Sequence, residues 1–182
     1  LRRQRQMCIR DSFNPWQALF PASPSTFLFD SYSRTQIQKE MIHFQQAWEQ
    51  KSFKIALDCL TKILGLGIGL TPTGDDFITG LLASFSALKQ LPSNFQQLAV
   101  LAKERTNAVS YAEIHEAVNE RFSQLVQRVF LSIESGNTNE MAQAVSALEE
   151  VGSTSGSDIL CGIIFGLKLF CEENNHDNSN SN

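Results

Sequence analysis

Apolar residues return every three or four positions along most of this chain. Ile37, Met41, Phe44 and Trp48 make one stripe, and Phe53, Ala56, Leu57, Leu60 and Leu64 make the next. Such spacing marks helices that bury one face. A further helix is predicted over 76–91, stopped by Pro92, and Phe95, Leu98 and Leu101 mark a short one. Ser110-x-x-Glu113 has the form of a capping box opening a helix that reaches about Arg121. Leu125, Val129 and Ile133 lead to a stop at Gly136, and Met141, Val145 and Leu148 lead to Gly152. Only residues 26–30 alternate as a strand would. The pattern predicts an all-α bundle of seven or eight helices.

One motif occurs twice, each time at a predicted helix start. Thr73-Gly74-Asp75-Asp76-Phe77-Ile78-Thr79-Gly80-Leu81-Leu82 aligns without gaps with Ser155-Gly156-Ser157-Asp158-Ile159-Leu160-Cys161-Gly162-Ile163-Ile164. The shared pattern is Ser/Thr-Gly-x-Asp-h-h-x-Gly-h-h, with h apolar. A hydroxyl residue, a glycine and then an apolar run signal a helix N-terminus. The aspartate then falls in the first turn, among unpaired N–H groups and at the positive end of the dipole. The second glycine stands one turn further along the same face. Glycine inside a helix costs roughly 1 kcal/mol relative to alanine, so it marks close approach of something. Read blandly, the aspartate is a cap and the glycine a packing contact. Read functionally, the two starts are halves of one pocket. Residues 77–82 and 159–167 are apolar on most sides, which predicts two central motif helices in a pseudo-two-fold relation.

The loop before the first motif, Gly65-Leu66-Gly67-Ile68-Gly69-Leu70-Thr71-Pro72, excludes two nucleotide-binding readings. Leu70 stands where a dinucleotide fingerprint needs its third glycine, and the preceding segment has helical rather than strand spacing. Gly69 and Gly74 have the glycine spacing of a phosphate loop, but Asp75-Asp76 replaces its Lys-Ser/Thr. Amides at a helix start can hold an anionic or carbonyl oxygen; the carboxylates can accept from N–H donors or bind a hard cation. A small ligand with carboxylate and amide groups fits, and so does a Mg²⁺-bound phosphate. The candidate catalytic residues are Asp75, Asp76 and Asp158. Gly67, Gly69, Thr71, Thr73, Gly74, Thr154, Ser155 and Gly156 are the candidate ligand-binding positions. Pro72 suits a first-turn position.

Composition narrows the class. At 182 residues and 42% apolar content, one core of ordinary size is expected. Net charge is −4 and no basic stripe carries interleaved aromatics, which argues against nucleic acid as a partner. No apolar run approaches the ~18 residues of a membrane span. Cys8, Cys59, Cys161 and Cys171 include no C-x-x-C pair, and Cys59 and Cys161 sit in apolar stripes as buried thiols, which suits a reducing cytoplasm. His43, His115 and His176 are isolated, so no metal site is expected from them. The expected organisation is a single helical domain over 13–171 followed by a disordered tail over 172–182. Residues 5–12, Arg-Gln-Met-Cys-Ile-Arg-Asp-Ser, can be read back as the mosaic-end adaptor of sequencing libraries, so 1–12 are expected to be artefact rather than protein.

The run Gly67-Ile-Gly-Leu-Thr-Pro-Thr-Gly-Asp-Asp-Phe, with Gly80 after it, resembles the G-x-G-L-T-P-x-G-D-D signature of the AllH-like family. Gly152-Ser-Thr-Ser-Gly-Ser-Asp-Ile-Leu-Cys-Gly resembles that family's second signature, and Thr106, Ser110, Ile114 and Ala117 follow its middle pattern. The resemblance runs from about Trp16 to about Leu169. Two positions depart from it: Ser153 stands where histidine is expected, and Glu120 where glycine is expected. The resemblance implies a subunit of an oxamate carbamoyltransferase-type enzyme, passing a carbamoyl group between oxalurate and phosphate to give oxamate and carbamoyl phosphate. It also implies partner enzyme subunits and a further N-terminal region, which would make this chain a C-terminal fragment. No cofactor is implied, although Mg²⁺ would suit the carboxylates. A non-catalytic scaffold subunit and a Mg²⁺-dependent hydrolase of small amides are the alternatives.

Overall fold

The computed structural model describes the backbone of residues 28–179 and the side chains of residues 32–171. The chain runs through eight α-helices: α1 (Leu28–Glu49), α2 (Phe53–Ile63), α3 (Thr73–Ala87), α4 (Gln97–Arg105), α5 (Ala108–Val118), α6 (Gln124–Ser135), α7 (Thr138–Glu149) and α8 (Ser155–Ser179). A single 3-10 turn, Ser93–Gln96, precedes α4, and no strand occurs among the described residues. The fold is an all-α bundle, as the periodicity predicts.

Four local expectations change. Residues 28–30 belong to α1 rather than to a strand; five residues are too short a window to separate a period of two from one of 3.6. Helix α3 ends at Ala87, before Pro92 is reached, because Lys89 turns the chain with a φ of 54°. The cap of α5 is Asn107, whose side chain accepts from the amides of Val109 and Ser110. Ser110 and Glu113 are therefore inside the helix and not its capping box. Helical backbone in α8 reaches Ser179, past Cys171, and neither Gly nor Pro follows Gly166 to break it. The adaptor-like segment 1–12 lies outside the described residues.

The stripe Ile37, Met41, Phe44 and Trp48 is buried, and Phe44 contacts the rings of Trp48, Phe85, Phe95 and Phe165. Trp48 stacks on Phe85 with centroids 4.6 Å apart. These rings join α1, α3, the 3-10 turn and α8 through large apolar surfaces. A smaller core joins Ala83 of α3 to Val126 and Val129 of α6, Leu148 of α7, and Ile159 and Ile163 of α8.

The two motif helices meet through their glycines. A Cβ at Gly80 would overlap the carbonyl of Ile159, and a Cβ at Gly162 would overlap the carbonyl of Phe77. Phe77 and Ile159 occupy matched positions of the repeat, so the contacts are reciprocal. One turn further, a Cβ at Gly166 would press on Ser84, whose hydroxyl donates to the carbonyl of Ile163 at 2.9 Å. The glycine faces close on each other and form no pocket, which leaves the starts of α3 and α8 as the place where the motifs can act.

Glu120, at the position where the resemblance expects glycine, has a φ of 58° just beyond α5. Only glycine takes that conformation without strain. Ser86 donates to its Oε2 at 2.8 Å on an exposed surface, which is a weak compensation. Glu120→Gly is expected to raise stability by up to about 1 kcal/mol, read from the urea midpoint. A lower midpoint would mean that the Ser86 hydrogen bond outweighs the strain.

Candidate functional site

The turn before α3 positions the first motif. Gly67 has a φ of 134°, and a Cβ there would lie against the backbone amide of Thr73, so only glycine lets this loop fold onto the helix start. Pro72, not Thr73, is the cap of α3, with a φ of −58° and a ψ of 144°. Its carbonyl accepts from the amides of Asp75 and Asp76 at 2.9 and 3.1 Å. The amide of Gly74 donates to the carbonyl of Leu66 at 2.8 Å, and that of Gly156 donates to Val151 at 3.1 Å. The two motif glycines therefore do not offer open N–H groups, contrary to the anion-cradle expectation. They are needed for close packing instead: a Cβ on Gly74 would overlap the carbonyl of Ile63, and one on Gly156 that of Leu148.

The adjacent aspartates face different neighbours. Asp75 is 1% exposed, and its Oδ1 accepts from the amide of Gly65 at 2.7 Å. Its Oδ2 accepts from the hydroxyl of Thr106, and Ser110 also hydrogen-bonds to the carboxyl. Burial pushes its pKa up, and these donors oppose that shift. Asp75 ties the glycine loop to the α4–α5 corner. Asp76, also 1% exposed, faces α8. It hydrogen-bonds to the hydroxyls of Ser155 and Thr71, which are themselves 2.7 Å apart. Its Oδ2 is buried and without a hydrogen-bond partner. Burial raises its pKa to about 7; Glu113 and Asp158 add to the rise, against the two hydroxyls.

Asp158 is 2% exposed in the first turn of α8, with Arg34 Nη2 of α1 at 3.9 Å from its Oδ1. Its charge acts on Asp76 and on the thiol of Cys161, which burial pushes up to about 12. The fold thus gathers Asp76, Asp158, Thr71 and Ser155 from the predicted set. It turns Asp75 to a structural tie and leaves Thr154 exposed, its carbonyl accepting the amide of Asp158 at 2.9 Å. Gly69 is on the exposed part of the loop, and Thr73 is buried in the first turn of α3.

Arg34, Glu113 and Thr79 adjoin the cluster but stand outside the candidate set that the sequence offers. Arg34 lies three residues before Ile37, in register with an apolar stripe, and a cation at such a position was the available signal. Glu113 reads in the sequence as the far end of a capping box. Thr79 shares a helix face with Asp76, and its hydroxyl is buried without a hydrogen-bond partner. An open cleft of about 380 Å³ begins at Thr79 and Glu113 and continues between α5 and α6. Among the described residues, no group of three or more His, Cys, Asp or Glu side chains is placed to hold a metal ion, and no helix is long and apolar enough to cross a membrane.

The family model described as oxamate carbamoyltransferase subunit AllH matches residues 63–167 of the 182-residue chain, from the end of α2 into α8. No solved structure matches the chain.

Proposed function

The chain belongs to the AllH family of oxamate carbamoyltransferase subunits, and on that premise we propose that Asp76 and Asp158 hold the amide or ureido end of the substrate during carbamoyl transfer between oxalurate and phosphate. The observation that carries this reading is the buried Asp76, with one oxygen lacking a partner and a pKa near neutrality, beside Asp158. In the phosphorolytic direction a phosphate oxygen bonds the ureido carbon. The bond from that carbon to the oxamate nitrogen breaks, and the nitrogen gains the proton that the phosphate gives up. A group poised near pH 7 suits the relay of that proton, because general acid–base catalysis works best when pKa and operating pH are close. Among the described residues, Arg34 is a cation that faces this cluster. Acidic walls do not favour a phosphate, so its binding groups would lie outside this cluster, and the enzyme would work in a reducing cytoplasm.

The test is carbamoyl phosphate formation by the full-length protein assembled with its partner subunits. Asp76→Asn is expected to lower kcat at least ~100-fold, the usual scale for losing a general acid–base group. The scaffold reading has one specific support, the closure of both motif glycines onto protein backbone. It requires that Asp76→Asn assemble and turn over at the wild-type rate.

A further inference from the structure

A cation from outside the motifs reaches the aspartate pair. Arg34 stands in the second turn of α1, beyond the residues that the family model matches, and its Nη2 lies 3.9 Å from Asp158 Oδ1. That separation exceeds the roughly 2.7–2.9 Å of a charge-assisted hydrogen bond, so this nitrogen and Asp158 form a loose pair. The two side chains also differ in access: Asp158 is 2% exposed and Arg34 24%. A guanidinium recruited only to neutralise a buried carboxylate would close on it and be buried with it. Arg34 instead stays partly open to solvent, two residues from the exposed Tyr32. Its planar fork carries five N–H donors and matches the paired oxygens of a carboxylate, so it can face Asp158 and a second carboxylate together.

We propose that Arg34 binds the carboxylate of oxalurate and of oxamate, and that it sets a preference for these anions over neutral amides of the same size. The proposal rests on the carbamoyl-transfer reading for the identity of its ligand. The length of that ligand supports it. In oxalurate three bonds separate the ureido carbon from the carboxylate carbon, a span of roughly 4 Å. A molecule so short, held at its ureido end by Asp76 and Asp158, places its carboxylate beside the same pair, where Arg34 stands. A carboxylate among acidic side chains without a cation would be strongly disfavoured, and Arg34 supplies the cation. One guanidinium suits a singly charged carboxylate; a phosphate dianion would need more positive charge against the carboxyls of Asp76 and Asp158.

The experiment measures equilibrium binding of oxamate and of oxamide, its neutral near-isostere, to the full-length protein assembled with its partner subunits, by calorimetry and without carbamoyl phosphate. The wild type is expected to bind oxamate at least about tenfold more tightly than oxamide, the scale of a hydrogen-bonded contact to a charged group. Arg34→Gln should reduce that preference to about threefold or less, chiefly through weaker oxamate binding. Arg34→Lys keeps the charge beside Asp158 and loses the fork, so it should fold and show a preference in between. A merely structural Arg34 would change the amount of folded protein and leave the ratio of the two affinities intact. Absence of oxamate binding, equal binding of oxamate and oxamide by the wild type, or a wild-type ratio in both variants would overturn the proposal. If Arg34→Gln does not fold, a wild-type ratio in Arg34→Lys overturns it. Because the carbamoyl-transfer reading is judged on turnover by Asp76→Asn and this proposal on binding alone, the two failures are distinguishable.

Discussion

Asp76→Asn is expected to stabilise the protein at pH 8 by about 2–4 kcal/mol, raising its melting temperature by roughly 5–10 °C. The reason lies in the cost of holding a charge at this position. Asp76 is 1% exposed, and its pKa rises from 3.8 to about 7 when the chain folds. Between those values the folded protein holds a proton that the unfolded chain has released. The stability that this proton brings is fully present below about pH 4. It is lost as the pH rises through about 7. Asparagine keeps the shape, removes the ionisation, and places an N–H donor where an oxygen now lacks a partner, near the carboxylates of Glu113 and Asp158. The variant's stability should therefore fall less steeply between pH 4 and pH 8 than that of the wild type. Some slope should survive, since burial also raises the pKa of Asp75. Urea titrations at pH 5 and pH 8 check this; equal stability of the two proteins at pH 8 would mean that Asp76 carries no desolvation cost. A residue that lowers stability where it is charged and faces a neighbouring carboxylate is the kind that function retains.

Gly80→Ala and Gly162→Ala are each expected to destabilise the protein by at least about 3 kcal/mol. Helix propensity alone predicts the opposite, a gain of roughly 1 kcal/mol for alanine inside a helix. Packing decides the sign. Each added Cβ would overlap a backbone carbonyl of the facing helix, Ile159 in one case and Phe77 in the other. A helix backbone cannot turn aside as a side chain can, so α3 and α8 would have to separate along the seam and open the cores on both sides. Once they have separated, the second substitution costs less, so the double variant should be less destabilised than the two single effects added. Denaturant unfolding of the three variants measures this directly. A single variant more stable than the wild type would show that the helices do not touch at these glycines.

Much of the architecture follows from the sequence because hydrophobic period determines both element type and buried face. Ile37, Met41, Phe44 and Trp48 had to share a face, and the apolar stretches after Asp76 and Asp158 had to be interior. The repeat placed both aspartates at helix starts, and Gly80 and Gly162 announced close contact. What the period cannot supply is the neighbour that each face meets. Asp75 and Asp76 are adjacent in the chain, but successive residues of a helix point about 100° apart. One carboxyl reaches Gly65, Thr106 and Ser110 and becomes a brace; the next reaches Thr71, Ser155 and the charge of Asp158. Capping was equally ambiguous, since Asn107 and Ser110 both have the chemistry to cap α5, and only the position of the preceding turn chose Asn107. Arg34 and Glu113 come from helices distant in sequence, and no local pattern ties them to the motif aspartates. The sequence by itself determined the helices, their buried faces and the pair of carboxylate-bearing helix starts, because these depend on spacing along one chain direction. The tertiary structure alone decided which carboxyl is tied off and which keeps an unpaired oxygen near neutrality, because burial, pairing and charge are set by residues that only packing brings together.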